Sequence, residues 1–244
     1  MNRRWLTWCG LGCAVALLAA AVIGPVRIYA AARRIVLGEA SIAARIKQYG
    51  PAAEARLKER FGAAGVEYPP VRLVLVGLKT ERELRVLVPA GTGWKEAARY
   101  RVLGASGGPG PKLRQGDQQV PEGFYEIESL NPNSLYHLAI RVNYPNAEDR
   151  KNAAAEGRTK LGGDIMIHGK DGSVGCLAMG DPAIEELFVL ADRVGIANVE
   201  VVLAPSTDPK PVAGAPAWVA DLYARLSDRL NELGVSPPAG PPQK

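Results

Sequence analysis

The chain has 244 residues, 47% of them hydrophobic and 23% charged, with a formal net charge of +5. That is long enough for one catalytic-sized domain with extensions, and the composition is far from that of disordered or collagen-like chains. The basic residues are dispersed, with no Lys/Arg stripe and no interleaved aromatics, which excludes a nucleic-acid footprint.

At the start of the chain Arg3 and Arg4 precede an uncharged stretch, residues 5–26, with a dense apolar centre over 14–23 and an Ala30-Ala31-Ala32 cluster behind it. This predicts an export signal over residues 1–32. An Ala-x-Ala site suits cleavage, whereas about 20 uncharged residues are also enough for a retained helical membrane anchor. Residues 1–32 include Arg3, Arg4 and Arg27 and no acidic residue, which leaves +2 on the remainder. Cys9 and Cys13 fall within 1–32 too, so Cys176 is a thiol without a partner in the exported part. In an oxidising compartment a gratuitous thiol tends to be paired or oxidised, so its retention beside glycines points to use.

Residues 33–67 read as a helical spacer, with Ile35, Ile42, Ile46, Leu57 and Phe61 as apolar points and a break expected at Gly50-Pro51. From Tyr68 onward the period changes. Strands are predicted over 71–78 and 84–88 as a hairpin, then over 100–103, 123–128, 136–142, 164–168 and 199–203. The Gly/Pro-rich stretch 104–111 reads as a loop, and it lacks the Gly-Lys-[Ser/Thr] that a phosphate cradle needs. Asp181 is placed to cap a helix starting with Pro182 and ending at Gly195, and a last helix is predicted over 217–233 before a disordered Pro-rich tail. Alternation over 136–143 puts His137, Ala139, Arg141 and Asn143 on one face and Tyr136, Leu138, Ile140 and Val142 on the core side. His137 then faces solvent or a cleft, and Arg141 faces solvent or a substrate carboxylate.

The chemistry concentrates in residues 163–179. His168 ends a short apolar strand, Cys176 follows eight residues later, and Gly169, Gly172 and Gly175 let the backbone fold back between them. A thiol attacks a carbonyl as thiolate and needs a base, which His168 can be. The bland alternative is a small buried cysteine and an unrelated histidine. Outside residues 1–32 the borderline ligands are only His137, His168 and Cys176, without paired spacing, so no metal site and no cofactor are expected.

His168-Gly169 followed by Ser173-Val174-Gly175-Cys176 resembles the signature of the YkuD-type L,D-transpeptidase catalytic domain, a strand-borne His, a spacer, then [Ser/Thr]-His-Gly-Cys. Lys112-Leu113-Arg114-Gln115-Gly116-Asp117, Pro121-Glu122-Gly123-Phe124-Tyr125-Glu126-Ile127, Asn131-Pro132-Asn133-Ser134-Leu135-Tyr136-His137 and Asn143-Tyr144-Pro145-Asn146 resemble other segments of that family in order. The likeness covers roughly residues 71–203. A shorter spacer and Val174 in place of the second motif His resemble the YafK-like murein branch, in which one member type is similar to an amidase that releases protein from peptidoglycan.

The resemblance implies a mostly β, sandwich- or barrel-like catalytic domain over 71–203 with flanking α-helices, preceded by the N-terminal hydrophobic helix and the spacer and followed by residues 204–244 as a helix and tail. It implies Cys176 as nucleophile and His168 as general base, with Ser173 and Gly175 in their motif places and a carbonyl near Gly169 orienting the imidazole; Asp164 or Asp171 is the local alternative for that last role. Backbone N–H groups at Gly175 and Cys176 are the candidate oxyanion donors. The implied partners are peptidoglycan stem peptides or a peptidoglycan-linked protein, in the periplasm or envelope, with the inner membrane added if residues 1–32 are retained. Three functions follow: a transpeptidase, a hydrolase or amidase on the same fold, and an inactive wall-binding scaffold.

Overall fold

A computed structural model describes residues 39–235. The expected N-terminal hydrophobic helix, the signal or anchor over 1–32 and most of the tail lie outside those residues. Among the described residues no helix is long and apolar enough to cross a membrane.

The chain forms the expected mostly-β domain with flanking helices. In order come α1 (Ile42–Ala63), β1 (Leu73–Leu78), β2 (Glu83–Ala90), β3 (Gly93–Arg101), β4 (Gly104–Ala105), β5 (Gly123–Asn131), β6 (Ala139–Val142), α2 (Ala147–Ala155), β7 (Met166–His168), β8 (Leu177–Ala178), α3 (Asp181–Val194), a 3-10 turn (Ile196–Asn198), β9 (Val199–Ala204) and α4 (Trp218–Glu232). The strands make one nine-stranded mixed sheet in the order β3-β2-β1-β9-β5-β6-β7-β8-β4.

The two central strands explain why their sequences are apolar throughout. β1 pairs in parallel with β9, from Leu73↔Val199 to Leu78↔Ala204. Alternate side chains go to opposite faces, and both faces are covered. Leu73, Leu75, Val199, Val201 and Leu203 join the core shared with α1 and α3. Val74, Val76, Leu78, Val202 and Ala204 join the core under α4, which contributes Val219, Leu222, Tyr223, Leu226 and Leu230 at helical spacing. Each such side chain contributes about 1.5–3 kcal/mol by burial, so α4 is held chiefly by that stripe.

Two helical details depart from sequence expectation. α1 runs unbroken through Pro51. An interior proline costs about 3 kcal/mol, and burial offsets it, since Ala53, Leu57 and Phe61 on the following turns are each 0% exposed. A polar clamp adds to this: Glu186 of α3, 2% exposed, accepts from Arg56 Nε at 2.6 Å, Arg60 Nε at 2.9 Å and the Tyr100 hydroxyl at 2.8 Å. At the start of α3 the cap is Gly180 at φ 78°, not Asp181. Asp181 is the first helical residue and is engaged elsewhere, its Oδ1 accepting from the Lys170 N–H at 3.0 Å and its Oδ2 pairing with Lys170 Nζ.

Candidate active site

β7 carries His168 to the end of the sheet, where it is 3% exposed. Its Nδ1 lies 2.6 Å from the carbonyl oxygen of Gly169. A carbonyl only accepts, so Nδ1 carries the proton and Nε2 is left as the basic nitrogen. Gly169 is needed for packing: a Cβ there would stand 2.6 Å from the Tyr136 carbonyl oxygen and 2.7 Å from Asp181 Oδ1. The Tyr136 ring lies over the imidazole, centroids 4.6 Å apart. Burial is the main reason the His168 pKa falls below its ordinary value, with the Gly169 carbonyl opposing.

Cys176 arrives on the neighbouring strand. β7 and β8 pair in parallel with Ile167↔Leu177 and His168↔Ala178. One step back, Cys176 stands beside Met166, whose backbone N–H donates to the sulfur. Met166 and His168 share a face, so Cys176 and His168 are diagonal neighbours on it, ~7–8 Å apart at Cα by sheet geometry. The thiol's own hydrogen bond goes to the Asp164 carbonyl oxygen at 3.6 Å and not to the imidazole. Burial, first, and Asp164 push the Cys176 pKa up, while the Met166 N–H and Lys112 pull it down. Both shifts, the thiol up and the imidazole down, favour the neutral forms of the two groups.

The loop before Cys176 is tied by two serines. Ser173 Oγ accepts from the Cys176 N–H at 3.0 Å and donates to the Cys176 carbonyl at 2.6 Å. Ser106 Oγ, from the loop after β4, accepts from the Gly175 N–H at 2.6 Å. Gly175 sits at φ 86°, and a Cβ there would be 3.3 Å from the Gln119 carbonyl oxygen. Both N–H groups suggested as oxyanion donors thus hold serine hydroxyls in the free protein. Val174, at the position of the second motif His, is 74% exposed.

The other candidates are placed as follows. β6 begins only at Ala139, and His137 has φ 75°, which breaks the alternation the sequence suggested. Its Nε2 lies 3.0 Å from Glu185 Oε1 and its ring 4.8 Å from that of Tyr49, in a seam between α1 and α3. The same break frees Tyr136 from the core: it is 48% exposed and covers His168. Arg141 is engaged, by Glu128 at 2.6 Å and by Asp164. Asp164 contributes its carbonyl to the thiol, and its carboxylate goes to Arg141, not to His168. Among the described residues no group of three or more His, Cys, Asp or Glu is placed to hold a metal ion.

Sequence reasoning missed Tyr136, Ser106 and a buried brace beneath the Cys loop. In that brace Lys79 Nζ donates to Gly110 O, Gln119 Oε1, Val120 O and Glu122 Oε1 at 2.9–3.0 Å, and Glu122 also accepts from the Gly110 N–H and the Tyr223 hydroxyl. These partners are tens of residues apart in the chain, and no local pattern announces them.

A family model described as the YkuD L,D-transpeptidase catalytic domain matches residues 72–205. The Escherichia coli strain K12 protein named "Putative L,D-transpeptidase YafK" is 42% identical over 112 residues, which cover 45% of this chain and 43% of that protein. The chain thus spans less than half the length of this curated relative. Among solved structures, the helical cell shape determining protein Pgp2 of Campylobacter jejuni is 23% identical with a TM-score of 0.46, covering 73% of this chain and 62% of that one. Bd1075 of Bdellovibrio bacteriovorus is 24% identical with a TM-score of 0.42, covering 66% and 55%. TM-scores below 0.5 are too low for these two likenesses to bear on function.

Proposed function

The chain belongs to the YkuD L,D-transpeptidase catalytic domain family, and from that premise we propose that it is an exported acyltransferase acting on peptidoglycan stem peptides, with Cys176 as nucleophile and His168 as general base. The observation that carries the reading is the His168 tautomer: Nδ1–H is committed to the Gly169 carbonyl, so Nε2 is free to take a proton on the face where Cys176 stands. In this reading the thiol exchanges the Asp164 carbonyl for Nε2 once substrate is in place, since catalytic hydrogen bonds commonly tighten only when substrate is bound.

In this mechanism Sγ attacks the stem carbonyl carbon while its proton passes to Nε2. The tetrahedral oxyanion takes over the N–H groups of Gly175 and Cys176, exchanging two serine contacts for two to substrate. Collapse breaks the C–N bond, the leaving amine takes the proton from Nε2, and a thioester remains on Cys176. An acceptor amine then attacks the thioester and gives its proton to Nε2, and the thiolate leaves and is reprotonated. Water in place of the amine makes the same site a hydrolase. Export rests on residues 1–32, read as a signal or anchor.

Incubating purified muropeptides with the protein and with Cys176→Ala tests this. Cross-linked dimers formed by the first and absent with the second are expected. Shortened stems or released protein in their place would reassign the reaction to hydrolysis, and equal inertness of both proteins would leave a wall-binding module.

A further inference from the structure

Two open grooves meet over Gly162 and Gly163. One, of about 460 Å³, runs past Arg141, Tyr144 and Arg150. The other, of about 700 Å³, continues from Arg150 to Arg158 and Lys160. Pro145, Arg150, Gly162 and Gly163 line both, so the two are lobes of one channel. Gly163, which lines both lobes, is followed in the chain by Asp164, whose carbonyl oxygen accepts the Cys176 thiol at 3.6 Å, so the channel lining ends one residue short of the sulfur's hydrogen-bond partner. Neither floor residue carries a side chain, which leaves room for an extended chain to lie against the backbone.

The charge along this channel is one-sided. Arg141 is neutralised by Glu128 and Asp164, and Arg158 by Glu156. Arg150 and Lys160 are exposed, and among the described residues neither has a carboxylate within ion-pair distance. Arg150 donates to the Pro145 carbonyl, while its neighbour Asp149 is turned to the Asn146 N–H and the Tyr125 hydroxyl. Glu128 is the one acidic residue lining either lobe, and Arg141 already holds it. Two cations outside any ion pair, of which Arg150 also acts at longer range on Asp149, leave a positive field along a cleft with protein walls, which favours an anionic ligand.

We infer, building on the reading of Cys176 as the acylated residue, that this channel seats the stem peptide through its free carboxylates, with Arg150 and Lys160 as the specificity-determining contacts. Peptide main chain supplies the extended shape, and carboxylates along it supply charges that a guanidinium or an ammonium meets with charge-assisted hydrogen bonds.

The test separates binding from turnover. A soluble disaccharide–tetrapeptide with free carboxylates, and the same compound with those carboxylates amidated, are titrated into full-length Cys176→Ala protein. The free acid should bind about tenfold more tightly, with an advantage that shrinks as salt rises. R150E/K160E should abolish the preference, and R150K should largely keep it; both positions are exposed, so melting should not shift. Equal binding of acid and amide, a preference that survives in R150E/K160E, or no binding of either compound overturns the inference. Turnover of the two compounds by the unsubstituted protein is read separately. Turnover without carboxylate preference keeps the enzymatic reading and sinks this one. Carboxylate-selective binding without any turnover does the reverse.

Discussion

Replacing Lys79 with methionine probes what holds the floor of the Cys loop. Methionine keeps an apolar stem of similar length but removes every N–H, so Gly110 O and Val120 O lose their donor and Glu122 loses its countercharge. The side chains of Lys79 and Glu122 are 5% and 0% exposed, so water does little to replace what is lost. Removing one partner of such a buried pair costs about 3–5 kcal/mol. At roughly 2–4 °C per kcal/mol for a domain of this size, melting should fall by about 6–20 °C. Glu122→Gln should cost less, because burial already lowers the Lys79 pKa and the unpaired lysine can enter the fold neutral. A folded pKa below the unfolded value means that the unfolded chain binds more protons between the two. The Glu122→Gln deficit is therefore largest below the folded pKa and shrinks as pH rises toward the unfolded value near ~10.4. The double variant should recover about 2–3 kcal/mol relative to the sum of the single costs. Urea unfolding of all four proteins at pH 7 and at pH 9.5 measures each quantity. Strict additivity together with a pH-independent Glu122→Gln deficit would refute the account of Lys79 and Glu122 as a coupled buried pair.

Three further outcomes follow from the site. With imidazole lowered and thiol raised, kcat/KM should rise along an acid limb centred below about 6.5 and stay level through neutrality, while iodoacetamide alkylation of Cys176 should climb only above the ordinary thiol range; an alkylation plateau between pH 6 and 8 would mean a preformed thiolate–imidazolium pair instead. Gly169→Ala forces a methyl to within 2.6 Å of the Tyr136 carbonyl oxygen, so it should cost about 1–3 kcal/mol in urea unfolding and lower kcat more than it changes KM; unchanged stability would contradict the packing described. Tyr136→Ala uncovers His168 and should move the acid limb upward toward the ordinary imidazole value with little loss of melting temperature, and an unmoved limb would show that the ring does not contribute to the desolvation.

Much of the site was legible because its chemistry is concentrated: strand, His168, glycine loop, Cys176 and the helix behind them lie in one stretch of chain, and the central strands announced themselves by being apolar on both faces. The rest was hidden for identifiable reasons. β3 is an edge strand with Lys95, Arg99 and Arg101 exposed, and an unpaired residue at Ala97 breaks its alternation, so only its last residues read as strand. α2 buries Ala153 alone and has no apolar stripe; its signal was the reciprocal cap between Asn146 and Asp149. The break expected at Pro51 weighed a local cost without the burial of Leu57 and Phe61. His137 and Tyr136 traded places because one residue at positive φ shifts every side chain before it. Ser106, bonded to Gly175 from 69 positions away, had no local mark at all.

The pairing of β1 with β9 also governs how this protein comes into being. Leu73 meets Val199 only after the whole intervening chain has been made, so while synthesis proceeds the opening hairpin must wait with one flank unzipped. Non-local strand pairing of this kind slows folding and leaves an edge open to wrong partners. A fragment ending before Val199 should therefore be insoluble rather than half-folded, and any cell that makes this chain must either hold it apart while it is nascent or move it out of the crowd before β9 arrives.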